Sequence, residues 1–396
     1  LSEERLIRPI TPWIGSATLV PFASKSLEAF HYEEALYGLP YSIDTMGLYY
    51  NANLVQKHAE TQQELFSQAS PSRPLALNTS FRGAYWGILA HGRHLFQNSG
   101  TDGTDQYAQS AMDAFATWLA RLQKLRDRPG IVMSPSHEKL QEMFAAGNAA
   151  YLVANTDALS VLRLELETDD TLSSVVKVAP LPAGPEGSAS PLVEVDGFLF
   201  SAAASEEQTM RAAKFAAFAT SGTSQAYLIH NLHLVPANTF ALTLQPDINI
   251  RHFLEQVESS TLLPPRPDMI LQEEAGDLLY ERVLKNGQDP VRAVSQFQNY
   301  IEETPKPAII AYAGDEVLRC DQDGRLTVWH SLRQNRTEND TQNQELQKSN
   351  DPLDKLSPTL RSNAQEFRSK HAMCPVVTWP INSSIYTVMM KHLTYF

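Results

Sequence analysis

Arg82 stands among rings, in Phe81-Arg82-Gly83-Ala84-Tyr85-Trp86 just after Asn78-Thr79-Ser80. A permanently charged guanidinium brings hydrogen-bond donors, and the rings bring large area with few rotors. That combination suits a polyhydroxyl ligand, although Tyr85 and Trp86 read equally well as helix core. Two His-x-x-His pairs, His91/His94 and His230/His233, could each turn both imidazoles toward one metal on a helix. Neither has carboxylates or cysteines at ligand spacing, so packing or surface histidines are expected, with no metal and no other cofactor. No Gly-x-Ser-x-Gly elbow, Walker loop or Gly-x-Gly-x-x-Gly turn occurs. Glu273-Glu274 fit a solvated helix face. Separation in sequence does not set separation in space, so a catalytic carboxylate pair stays open.

The elements that must position these residues alternate between strand and helix. Leu39-Pro40 opens a strand, and Gly47–Asn51 alternates as a second one. Residues 53–67 and 105–127 read as helices, the latter with apolar residues at three- and four-residue steps. Ser136 to Ala146 has a serine start and a Gly147 stop. Ala150–Ala154, Val175–Pro180 and Gly197–Ser201 read as strands, and Glu206–Thr220 as an amphipathic helix. Such alternation predicts an α/β architecture. With 396 residues, 43% of them hydrophobic, more than one lobe or domain is expected. The net charge of −13 argues against nucleic acid and anionic membrane as partners. Cys320 and Cys374 do not make a disulfide scaffold, and one bridge between them stays open. The chain shows no membrane-length apolar run and no signal peptide, as expected of a fragment or a processed chain.

Four stretches resemble the extracellular solute-binding proteins of ABC importers, family 1, of the maltose/sugar-binding type. Tyr37-Gly-Leu-Pro-Tyr-Ser-Ile-Asp-Thr-Met-Gly-Leu-Tyr-Tyr-Asn51 is similar to the family's crossing between lobes. Met143 to Tyr151 resembles its Phe-x-x-Gly-x-Ala-Ala segment. Val178-Ala-Pro-Leu-Pro-Ala-Gly184 followed by Asp196-Gly197, and Leu234-Val-Pro-Ala-Asn238, complete the series in order. The resemblance implies a two-lobed periplasmic-binding-protein-like fold (type II). It implies a non-enzymatic, extracytoplasmic protein, periplasmic or at the cell surface, that captures a sugar or sugar-like solute and delivers it to an ABC permease. A carbohydrate-active enzyme and a sensory ligand-binding module are the alternatives.

By the same resemblance, ligand contacts are expected from Asp44, with Ser42 and Thr45 beside it, and from Phe81, Arg82 and Tyr85. Asn155 and Asp157 stand where relatives carry Gly-Pro-Trp, and that departure favours a smaller or more polar ligand than a stacked oligosaccharide. Asp196 is expected to face the ligand, with Gly197 permitting close backbone approach. Lobe one is expected at residues 1–50 with part of 200–303, and lobe two at about 51–195.

After Glu303 the texture changes. Residues 304–324 read as a linker, and 334–355 as a polar, solvated insertion. Residues 325–332 and Val376-Val-Thr378 resemble the family's opening strands, so its segments stand in rotated order. The chain is then either circularly permuted, the tail completing lobe one, or a slice of a tandem repeat. Ser331 and Arg333 would contact ligand in the first case.

Overall fold

The computed structural model describes residues 6–93, 95, 109–166, 175–263, 269–303, 325–326 and 376–377. Its strands are β1 (Ile7–Arg8), β2 (His31–Tyr32), β3 (Ala35–Leu36), β4 (Gly38–Asp44), β5 (Met46–Asn51), β6 (Leu75–Asn78), β7 (Ile131–Ser134), β8 (Tyr151–Asn155), β9 (Val176–Ala179), β10 (Leu192–Ser201), β11 (Thr261–Leu262), β12 (Arg325–Leu326) and β13 (Val376–Val377). Its helices are α1 (Ser16–Leu19), α2 (Ser24–Glu28), α3 (Gln62–Gln68), α4 (Phe81–Ala84), α5 (Gln109–Arg126), α6 (His137–Ala145), α7 (Asp157–Leu166), α8 (Glu206–Ala219), α9 (Gly222–Leu232), α10 (Ala241–Leu244), α11 (Ile248–Ser259), α12 (Met269–Leu284) and α13 (Pro290–Glu303). Among the described residues, no helix is long and apolar enough to cross a membrane.

Two units divide the chain, residues 1–309 and 310–396. In the second, β12 and β13 pair in parallel. The Ser331 and Arg333 expectations lie outside the described residues, as do the linker and the polar insertion.

The first unit is α/β and two-lobed. Its larger sheet runs β7-β6-β8-β5-β9, with β6 parallel to both β7 and β8, and β5 antiparallel to β8 and β9. Successive strand residues point to opposite faces, and here each face meets its own core. Leu48, Leu75, Leu77, Tyr151 and Val153 join Trp86, Phe115, Trp118, Tyr280 and Phe297. Tyr49, Ala76, Leu152, Ala154, Val176 and Val178 join Leu140, Phe144, Leu159, Ile250 and Phe253. A sheet covered on both faces explains why these strands read as almost continuous apolar runs.

The smaller sheet is organised by β10. It pairs antiparallel with β4 and β1, and in parallel with β11. Thr45 is the single residue between β4 and β5, and thus the step from one sheet to the other. Directly after Thr45, β5 is hydrogen-bonded into the larger sheet. Ile250, Phe253, Leu279 and Phe297 lie in the cores flanking that sheet. The helix expected over 53–67 is confined to α3, where Thr61 and Glu64 form a capping box.

Candidate functional site

The carboxyl ends of β6, β7 and β8 lie together with the start of β5. Each of the three is followed directly by a turn and a helix. Ser80 accepts from the Gly83 N–H to start α4, and Ser136 accepts from the Lys139 N–H to start α6. Asn78 braces this end of the sheet. Its Oδ1 accepts from Ser80 N (2.8 Å) and Ser80 Oγ (2.6 Å), and its Nδ2 donates to the Pro135 carbonyl at 3.2 Å. In open α/β sheets, ligand crevices form beyond the carboxyl ends of strands.

Carboxylates gather at this end. Asp44 closes β4. Its Oδ1 accepts from Thr156 N at 3.1 Å and Thr156 Oγ1 at 2.6 Å, and its Oδ2 accepts from Asn155 Nδ2 at 3.3 Å. Asp44 thus anchors the start of α7 across the step between lobes, where negative charge complements a helix N-terminus. Asp277, on α12, does the same for α4, accepting from the Phe81 N–H at 2.6 Å. The β4/β10 register sets Asp44 opposite Glu194 and Ser42 opposite Asp196. Ser42 Oγ donates to Asp196 Oδ2 at 2.9 Å.

Asp157 and Asp196 are both open to solvent, yet crowded by protein and by each other. Loss of surrounding water, then the charges of Asp44 and Asp196, push the Asp157 carboxyl up to about 6. The same desolvation raises Asp196, with the Ser42 hydroxyl opposing and Asp44 adding to it. His137, at the start of α6, is lowered by burial against the opposing pull of Glu138, Asp44 and Asp277.

Arg82 enters the site through two ion pairs, while its Nε is buried without a hydrogen-bond partner. Its guanidinium pairs with Glu194 on β10 and, at 2.6 Å, with Glu273 on α12. Burial raises the Glu273 carboxyl while Arg82 opposes the rise. Glu273 is therefore a structural ion-pair partner, not a member of a solvated helix face.

Several sequence expectations change here. Phe81 and Tyr85 are 0% and 1% exposed and belong to the core, with Phe81 against Tyr85, Phe115 and Phe297. They pack the larger lobe and present no face to a ligand. Thr45 is buried, its Oγ1 bonding the Leu192 carbonyl at 3.3 Å and Ser260 Oγ at 3.2 Å. Ser42 is also buried and reaches the site through Asp196. Gly197 serves the sheet. A Cβ there would lie 2.5 Å from the Phe30 ring and 2.8 Å from the Leu39 carbonyl oxygen, beside the register shift between Asp196 and Gly197. Replacing Gly197 with Ala should therefore cost about 1–3 kcal/mol in chemical denaturation; an unchanged midpoint would refute this packing role. Sequence reasoning missed Glu194, Asp277 and His137, because nothing local in a sequence reveals which strand residues face one another.

Residues 1–249 match the family model described as bacterial extracellular solute-binding protein. The chain is 24% identical over 277 residues to the maltodextrin-binding protein of Bacillus subtilis, covering 63% of this chain and 62% of that one. It thus spans less than two thirds of that relative's length. Its fold is similar to the maltose-maltodextrin binding protein of the thermoacidophilic bacterium Alicyclobacillus acidocaldarius (TM-score 0.61, 18% identity, 76% of this chain and 81% of that one). It is also similar to a cyclo/maltodextrin-binding protein complexed with maltotetraose (TM-score 0.64, 21% identity, 76% and 78% covered). A third similar structure is the Thermus thermophilus maltotriose binding protein bound with maltotriose (TM-score 0.62, 17% identity, 75% and 79% covered). With more than half of its length matched to that model, and with the two-lobed α/β architecture in place, the chain belongs to the bacterial extracellular solute-binding protein family.

Proposed function

We propose that this chain captures a sugar or sugar-like solute in the crevice at the carboxyl ends of β6, β7 and β8, and presents it to an ABC permease. It would work outside the cytoplasm, in the periplasm or at the cell surface. The observation that carries this reading is the pair of solvent-reached, crowded carboxylates, Asp157 and Asp196, on either side of the step at Thr45. Ionised carboxylates accept hydroxyl donors by charge-assisted bonds. Asn155 bonds Asp44, which fixes the turn that carries Asp157, and Arg82 pairs with Glu194, two residues before Asp196 on β10. The ligands named for the relatives, maltodextrin and maltotriose, are hydroxyl-rich and fit the same chemistry.

The mechanism follows from linkage. Asp196 sits on the smaller lobe's sheet and Asp157 on the larger lobe. A solute touching both favours the arrangement in which they are near, by as much as its affinities for the two arrangements differ. No covalent step is required of any residue.

A thermal-shift screen against mono- and oligosaccharides tests this directly, since a ligand that binds the native state raises Tm by mass action. A saturable rise with at least one sugar, and unchanged sugar after incubation, is expected. Released hydrolysis products would replace the binding reading with the enzymatic one, and silence across the panel would remove the sugar class.

Affinity should also depend on pH. The raised Asp157 carboxyl makes charge-assisted bonds to hydroxyls only when ionised, so binding should strengthen as pH rises from about 5 to about 7.5. Stability without ligand runs the other way. The native state holds the Asp157 proton to higher pH than the unfolded chain, so this group's contribution declines as pH climbs from about 4 through about 6. Calorimetric titrations at pH 5, 6 and 7.5 check the first part; a flat or inverted profile contradicts it.

A further inference from the structure

A second polar cluster lies between α3 and α5, using no residue of the crevice. Gln62, at the first turn of α3, is 1% exposed. Its Oε1 meets His91 Nε2 at 3.1 Å, and its Nε2 is buried without a hydrogen-bond partner. His91 stacks on Trp118, one helical turn before Arg121 on α5, with centroids 5.6 Å apart. Arg121 lies over the Phe66 ring, 5.0 Å from its centroid. Arg121 Nε is buried and also lacks a partner.

The charge balance is as unusual as the hydrogen bonding. Among the described residues, Arg121 forms no ion pair, and no carboxylate opposes the lowering of its pKa by burial. His91 is driven down to about 4, first by burial and then by the Arg121 charge, so it stays neutral at physiological pH and offers Arg121 no compensation. An uncompensated, half-buried cation is out of character in a chain of net charge −13. Gln62 thus touches the His91 ring with its other amide atom unpartnered, and Arg121, one helical turn beyond the Trp118 on which His91 stacks, brings a second buried donor and a positive charge to the same cluster.

We propose that Gln62, His91 and Arg121 form a site for a small oxyanion, phosphate or sulfate. One ordered water could satisfy a donor, but it would leave the guanidinium without a counter-charge. An oxyanion supplies acceptors for Gln62 Nε2 and for the guanidinium, and neutralises the cation in the same step. His91 and Arg121 are each half-buried, so the ion has a way in, while Gln62 forms the floor. The site is independent of the solute reading, and either can fail without the other.

Thermal melts of the full chain in sodium phosphate, against sodium chloride of equal ionic strength, are the test. Wild type should show a saturable, phosphate-specific rise in Tm of about 2–3 °C once phosphate exceeds its dissociation constant about tenfold. Arg121→Gln should lose that rise. Because Arg121→Gln also removes the contact with Phe66, Gln62→Glu supplies a second arm. It keeps the acceptor for His91 and places a carboxylate beside Arg121, so it should melt at or above wild type in chloride and ignore phosphate. A phosphate monoester then separates a site for the free ion, if silent, from one for an esterified group, if equally effective. Equal melts in phosphate and chloride would mean that a water suffices or an adventitious ion only, and would overturn the proposal. So would an undiminished phosphate response in both variants.

Discussion

Asp44→Ala is expected to lower unfolding free energy by about 2–4 kcal/mol and to abolish solute binding. The substitution strips acceptors from the Thr156 N–H, the Thr156 hydroxyl and the Asn155 amide together. Hydrogen bonds to a charged group contribute about 1.5–3 kcal/mol each in favourable cases, and donors left buried without partners cost more than the bond was worth. Thr156 is buried, so water cannot readily replace the carboxylate. One effect opposes this. Removing Asp44 relieves its repulsion of Asp157 and Asp196, but both are reached by solvent, and screened charges of that kind are worth less than about 1 kcal/mol. The loss of hydrogen bonds should therefore win. Asp44→Asn separates the two effects. It keeps an acceptor for Thr156, should lose less stability, and should let Asp157 titrate closer to an ordinary aspartate. Urea denaturation with a carboxyl titration by NMR reads both. If Asp44→Ala were as stable as wild type, Asp44 would be a spectator and the anchoring of α7 would be wrong.

Trp118→Ala should be more damaging, at about 3–5 kcal/mol. The indole is fully buried, edge-on to Trp86 with centroids 4.9 Å apart, and near Phe66. Gly87 exists to admit it: a Cβ there would lie 2.4 Å from the indole. The Trp118 Nε1–H donates to the Ala84 carbonyl at 2.7 Å, and the same carbonyl accepts from the Tyr280 hydroxyl at 3.2 Å. That oxygen would keep a partner in the variant, so the cost comes from the cavity and not from an orphaned acceptor. Trp118→Phe should recover a large part of the loss in denaturation experiments. Should Phe prove as harmful as Ala, the hydrogen bond and not the volume is what matters. The effect reaches the site because Ala84 closes α4, the turn that carries Arg82.

What the sequence disclosed, and what it withheld, follows from range. Leu48/Tyr49 and Leu152/Val153 lie on opposite faces of one sheet, and the expected strands 47–51 and 150–154 were legible because both faces are apolar. Ser136 announced α6 because a cap acts within three residues. The environment of Arg82 was not legible: Glu194 and Glu273 lie 112 and 191 residues away, and only the tertiary fold brings them in. The aromatics around Arg82 pointed the wrong way for the same reason. Phe81, which opens the four-residue α4, and Tyr85, which follows it, turn inward, and periodicity over so short a stretch cannot say so. Asp44, Asn155, Asp157 and Asp196 do come together, yet Asp44 acts as a brace whose oxygens are taken. That depends on the backbone of Thr156, which no residue type encodes.

The stitching at the step between lobes has a mechanical consequence. Thr45 is tied to Leu192 and Ser260, Ser190 Oγ meets Thr261 Oγ1 at 2.7 Å, and the Thr261 N–H donates to the Pro191 carbonyl at 2.8 Å. Two neighbouring passages of chain are thereby riveted together beside the step, so the ends of the two sheets cannot slide past one another there.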